Sequence, residues 1–115
     1  MIAEIVGLSA YESQVAALLT EEERMAMEFS IACAPDEHPV MPGTGGFRKA
    51  RWSRRGQGKS GGLRVIYFLL TVPRRVYMAS IYAKSRKENL SSADEKALAK
   101  LAAKIKKEGR EGVQL

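Results

Sequence analysis

The chain has 115 residues, 45% of them apolar, and carries nineteen Lys and Arg against thirteen Asp and Glu, for a net charge of +6. That length holds one domain, 1–115, with a core that needs neither disulfide nor metal. A single cysteine excludes an internal disulfide, no apolar run approaches the ~18 residues of a membrane span, and the N-terminus lacks a basic-then-apolar leader, so a cytoplasmic protein without a membrane partner is expected.

Ile2 to Leu8 is short, apolar and partly alternating, and reads as a first strand. Ser9-Ala-Tyr-Glu12 has the spacing of a capping box, in which each side chain satisfies an orphan N–H at a helix start. The helix it opens repeats Tyr11, Val15, Leu18 and Leu19 on one face. Thr20-Glu-Glu-Glu23 has the same spacing, and its acids suit a helix N-terminus electrostatically. This second helix is expected to bury Met25, Phe29, Ala32 and Cys33, with Cys33 as an inert thiol, and to end at Pro35.

Asp36 to Gly46 is a loop punctuated by Pro39, Pro42, Gly43, Gly45 and Gly46. Three strands are expected next: Phe47 to Ser53, Leu63 to Thr71 and Val76 to Ala83. A long basic hairpin loop, Arg54 to Gly62, joins the first two, and a tight turn at Pro73-Arg74-Arg75 joins the last two. A final helix starts at the box Ser92-Ala-Asp-Glu95 and carries Leu98, Leu101, Ala102 and Ile105. Gly109 is expected to stop it and leave Arg110 to Leu115 as a frayed tail. The order β-α-α-β-β-β-α predicts an α+β domain with a curved, mostly antiparallel sheet and its helices packed on one face.

Charge is segregated along this order. From His38 to Lys87 there is no acid in fifty residues, yet twelve of the nineteen cations fall there. An anionic partner, nucleic acid or another polyanion, is implied. Alternation puts Lys49 and Arg51 on one face of their strand, Arg64 among Ile66, Phe68 and Leu70 on the next, and Tyr82 with Lys84 on the third. A register that gathers Lys49, Arg51, Arg64 and Lys84 forms a cationic cleft beside Tyr82, on which a base can stack.

The chemistry open to such a cleft is narrow. His38 is the only histidine, and the basic region has no carboxylate, so no metal and no cofactor are expected. No Ser/His/Asp set can be assembled there. Gly58-Lys59-Ser60 lacks the first glycine and the following helix of a phosphate-binding P-loop. RNA transesterification needs neither metal nor histidine. The 2′-hydroxyl attacks the adjacent phosphate, and fixed cations aimed at the phosphoryl oxygens stabilise the charge that accumulates. Arginine stays charged and binds phosphate bidentately, while a lysine crowded by other cations becomes a usable base.

Gly43-Thr-Gly-Gly-Phe-Arg-Lys-Ala-Arg-Trp52, Gly58-Lys-Ser-Gly-Gly-Leu-Arg-Val-Ile-Tyr-Phe68 and Ile81-Tyr-Ala-Lys84 together resemble the RelE/HigB family of toxins of bacterial type II toxin–antitoxin systems, nearest its HigB-like branch. The resemblance runs over nearly the whole chain. It implies a small α+β domain similar to microbial ribonucleases and a metal-independent mRNA endonuclease working on the ribosome. It also implies a cognate antitoxin, often with a helix-turn-helix domain, as silencing partner. The family's paired basic residues fall on Lys49 and Arg51, near the base position, its phosphate-binding arginine on Arg64, and its last-strand basic residue on Lys84. Arg48, Arg54, Arg55, Lys59, Tyr82 and Arg86 are the further RNA contacts expected, with Arg74 and Arg75 holding backbone. Two positions depart from the pattern: Ser85 stands where well-studied members place an arginine, and no tyrosine follows Tyr82. The assignment of base and acid therefore stays open, with Lys84 or Tyr82 available for the missing role. A ParE-like gyrase inhibitor and a non-catalytic RNA-binding module are the alternative readings.

Overall fold

The computed structural model describes residues 2–53, 62–86 and 89–114, with side chains through Gly109. Strand β1 (Glu4–Gly7) leads into an αα-hairpin of α1 (Ser9–Leu18) and α2 (Glu21–Cys33). Then come β2 (Phe47–Ser53), β3 (Gly62–Leu70), β4 (Arg75–Ala83) and α3 (Ser92–Gln114). The four strands form one sheet in the order β1-β4-β3-β2. The β2–β3 and β3–β4 pairings are antiparallel, and β1 lies parallel to β4. The expected α+β domain and element order hold. The hairpin loop between Ser53 and Gly62, with Arg54, Arg55 and Lys59, lies outside the described residues.

The helices do not share a face, as the sequence reading had them do. Tyr11, Val15, Leu19, Met27 and Ile31 from the hairpin pack on Ala50, Leu63, Val65, Tyr67, Val76, Met78 and Ile81. Ala102 and Ile105 of α3 pack on the opposite side, against Phe47, Ile66, Phe68, Tyr77 and Ala79. β3 explains the difference. Its residues are apolar on both parities, so both sheet faces need cover, and Gly62 to Phe68 are buried without a break. Each large apolar side chain buried this way contributes about 1.5–3 kcal/mol.

Local signals resolve in several ways. Thr20 forms the expected box: its hydroxyl accepts from Glu23 N at 3.1 Å, and Glu23 accepts from Thr20 N at 2.9 Å. Ser9 and Glu12 do not. Leu8 is the N-cap there, without a side-chain bond, and Glu12 instead pairs with Arg24 of α2 at 2.7 Å. At α3 the box sits one residue earlier than expected: Ser91 Oγ accepts from Asp94 N, and Asp94 Oδ2 accepts from Ser91 N. The buried face of α2 is Met27, Ile31 and Ala32, whereas Met25 and Phe29 are about two-thirds exposed and Cys33 is exposed. Two apolar stripes at helical spacing compete in that helix, and the turn before it sets which one meets the sheet. α2 does end before Pro35.

Gly109 does not stop α3, which runs on to Gln114. The glycine is buried, and a Cβ there would stand 2.6 Å from Leu70 Cδ2, so its small size serves close packing of α3 on β3 rather than a helix end. Gly45 has a related task. Its φ is +76°, and a Cβ would meet Ala102 Cβ at 2.9 Å. The loop before β2 therefore lies directly against α3, locked by Thr44, whose buried hydroxyl donates to Met41 O and accepts from Phe47 N.

Candidate functional site

The strand register builds the site. Arg51 of β2 pairs with Arg64 of β3, and Arg64 pairs in turn with Tyr82 of β4. Directly paired residues lie on the same face of a sheet, so these three form one row across three strands. Lys84 N donates to Gly62 O at 3.1 Å and continues the β3–β4 ladder by one step. By alternation Lys84 lies on the Tyr82 face, one row nearer the hairpin end. On the other side of the Arg51–Arg64–Tyr82 row comes Lys49, paired with Ile66, which pairs with Ser80. Rows on one face are about 6.7 Å apart and neighbouring strands about 4.8 Å. Lys49, Arg51, Arg64 and Lys84 thus fall within three successive rows of one face.

Arg64 is the focus of this surface. It is only 5% exposed, and its guanidinium donates to Leu63 O at 3.4 Å through Nη1. Among the described residues no carboxylate pairs with it. A guanidinium taken out of water pays a desolvation penalty of several kcal/mol, normally offset by a buried counter-charge. An arginine held there without an internal acid favours an anion brought from outside. Arg51 beside it is exposed, Lys49 and Lys84 are half-buried, and Tyr82 is half-buried. Arg86 is exposed in the turn after β4 and, with Gln14 and Tyr82, edges a neighbouring cavity.

Other cations lie elsewhere. Arg48 has the opposite parity to Lys49, and its Nη1 donates to Asp36 O at 3.2 Å and His38 O at 2.6 Å. It pins the loop before β2 and lies on the opposite face of the strand from the row. Arg75 lies at the far end of β4, paired with Glu4 at 2.8 Å and donating to Tyr77 Oη. Its bonds, too, are made within the fold, away from the row.

Two acids approach the cationic face, which charge order along the chain hid. Glu95 shares a cavity with Lys49, Met41 and Asn89, and its carboxylate lies over Gly43. Asp94 lines a second cavity with Tyr82, Ser80 and Gln14. Both come from the first turn of α3, placed there because α3 folds back over the sheet beside β2 and β3. Gln14, on α1, was likewise missed: its Oε1 accepts from Ser80 Oγ and from Ile81 N, beyond the point where β1 covers the edge of β4. No spacing in the sequence links Gln14 to β4. The only available signal was a polar residue flanked by the apolar positions of α1.

Among the described residues no three His, Cys, Asp or Glu side chains converge as metal ligands, and no helix is long and apolar enough to cross a membrane.

Two comparisons bear on this geometry. The family model of the RelE toxin of the RelE/RelB toxin–antitoxin system matches residues 43–114, more than half of the chain. The fold is similar to that of an arginine-to-alanine double mutant of the Escherichia coli toxin RelE in its free state. The TM-score is 0.58 at 15% identity, with 76% of this chain and 90% of that one covered.

Proposed function

The chain belongs to the RelE family of toxins of type II toxin–antitoxin systems, which implies an antitoxin partner, and from that premise we propose that it is a metal-independent mRNA endonuclease acting on the ribosome. The observation that carries the reading is Arg64: buried, charged, and without a carboxylate partner among the described residues. A pure protein-binding toxin has no use for such a group, because an uncompensated buried cation destabilises the fold unless it works on an anion.

In this reading the message lies across the Arg51–Arg64–Tyr82 row with its scissile phosphate at Arg64. The 2′-oxygen forms a bond to phosphorus and the P–O5′ bond breaks, leaving a 2′,3′-cyclic phosphate and a 5′-hydroxyl. Arg64 and Arg51 hold the non-bridging oxygens, whose charge grows in the transition state. Lys49 stands on the side that accepts the 2′-hydroxyl proton, and Tyr82 or Lys84 supplies one to the departing O5′. Arg86 and the hairpin residues Arg54, Arg55 and Lys59 contact the backbone of messenger or ribosomal RNA. The "GTGG" and "GKSGG" segments favour the HigB-like branch as the chain's place in the family, the antitoxin would carry a helix-turn-helix domain as such partners often do, and both proteins would work in the cytoplasm.

The direct test is growth. Induction of the wild-type chain without its antitoxin arrests cells, and Arg64→Ala, shown by circular dichroism to be folded, does not. Full toxicity of the folded variant would sink the proposal.

A further inference from the structure

Beside the cationic row lies a cavity of about 250 Å3, floored by Ile66, Ser80 and Tyr82 and roofed by Asp94 and Leu98 of α3, with Gln14 at its edge. Its chemistry differs from that of the row. Among the described residues no lysine or arginine lines it and Asp94 supplies a carboxylate, so those walls offer a phosphate no cation. Its apolar walls suit a flat, neutral ring, and its polar groups sit where they can read that ring's edge.

Gln14 is the best defined of them. A backbone N–H can only donate, so the bond from Ile81 N fixes which end of the Gln14 amide is oxygen. That oxygen also takes the Ser80 hydroxyl. Among the described residues nothing takes the amide NH2, the end of Gln14 that a ligand can use, a donor suited to a base carbonyl or ring nitrogen. The phenol ring of Tyr82 borders both the cavity and the row that contains Arg64. The Ile66–Ser80 row lies one step, about 6.7 Å, from Arg64. That step matches the reach from a nucleotide's phosphate to its own base.

We infer that this cavity is a nucleobase pocket: it takes one unstacked base of the message while the attached phosphate sits at Arg64. The inference rests on the phosphate reading above and adds the part of the substrate that the cations cannot read. Single-stranded RNA is commonly read this way, with a splayed base stacked on an aromatic ring and hydrogen-bonded at its edge.

The experiment compares nucleoside 5′-monophosphates with ribose 5-phosphate and inorganic phosphate, titrated at low salt and followed by amide chemical shifts. At least one nucleotide is expected to bind about tenfold more tightly than ribose 5-phosphate, in line with the strength of one base–aromatic stack, and to shift Ser80, Tyr82 and Ala97. Ala97 lies on the cavity wall and is exposed on α3, so Ala97→Leu fills the pocket while keeping a good helix former in place. That variant is expected to erase the nucleotide advantage and leave ribose 5-phosphate affinity unchanged. Equal binding of nucleotides and ribose 5-phosphate overturns the pocket, and so does an advantage that survives Ala97→Leu. In both cases retained phosphate binding that Arg64→Ala removes would leave the phosphate site standing. If no probe binds at all, the phosphate site falls together with the pocket.

Discussion

Arg64 is the residue on which the proposed chemistry centres, because it is buried and no carboxylate among the described residues pairs with it. If its guanidinium stabilises transition-state charge, Arg64→Ala should lower cleavage by about 10²–10³-fold, the usual cost of losing one such donor. Arg64→Lys should restore little of it, since an ammonium lacks the planar fork that grips two phosphate oxygens. Rates on ribosome-bound message decide both. Tyr67 shows the opposite use of burial. Its hydroxyl donates to Pro35 O at 2.6 Å, and burial, aided by Asp36 and Glu37, pushes its pKa up to about 12 against an opposing effect of Arg48. Burial and the bond to Glu28 also raise Tyr11. Both phenols are held neutral in the folded chain but ionise near pH 10 once unfolded. Their contribution is therefore complete below about pH 10 and falls above it, the Tyr67 part being lost as pH rises through about 12 and the Tyr11 part at still higher pH. Melting temperature should fall over that window, and Tyr67→Phe should flatten the fall while lowering stability at neutral pH by about 1 kcal/mol.

At the level of elements, Thr20→Ala should cost about 1 kcal/mol in urea unfolding by removing the α2 cap, without touching activity. Gly45→Ala should cost more, about 1–3 kcal/mol. It forces an alanine into a left-handed backbone and drives its Cβ into Ala102, so it also loosens α3 from the face it roofs. Such elements mark what the sequence disclosed. β2 was legible to the residue, because Phe47 follows a glycine run and its alternation is clean. The cation row was legible as parity: Arg51, Arg64 and Tyr82 each had the right face before their register was known. What stayed hidden depends on packing across the chain. Met27 and Ile31 looked no better than Met25 and Phe29 until α2 met the sheet. Gly109 reads as a stop by composition, yet Leu70 needs it small. Asp94 and Glu95 are distant from the basic strands in sequence and adjacent in space, because α3 returns over them.

Over the whole molecule, both faces of β3 are covered, by the αα-hairpin on one side and α3 on the other, and the proposed working surface is the part of the α3 face that carries the cations. Glu95 beside Lys49 and Asp94 beside Tyr82 limit where a phosphate can sit, and leave the Arg51–Arg64–Lys84 end for it. Binding of a non-cleavable RNA should then weaken with salt, at a slope of about −2 to −3 in log K against log salt for three or four phosphate contacts. Arg64→Ala should reduce that slope by about one contact, whereas Arg75→Ala, at the far end of β4, should leave it unchanged. The central claim, that this toxin cuts messages through Arg64, is tested most directly by primer extension on cellular mRNA after brief induction of the wild type and of folded Arg64→Ala. New 5′ ends inside messages with the wild type and none with the variant are predicted. Growth arrest with intact messages and damaged DNA, or equal cutting by the two proteins, would contradict the account.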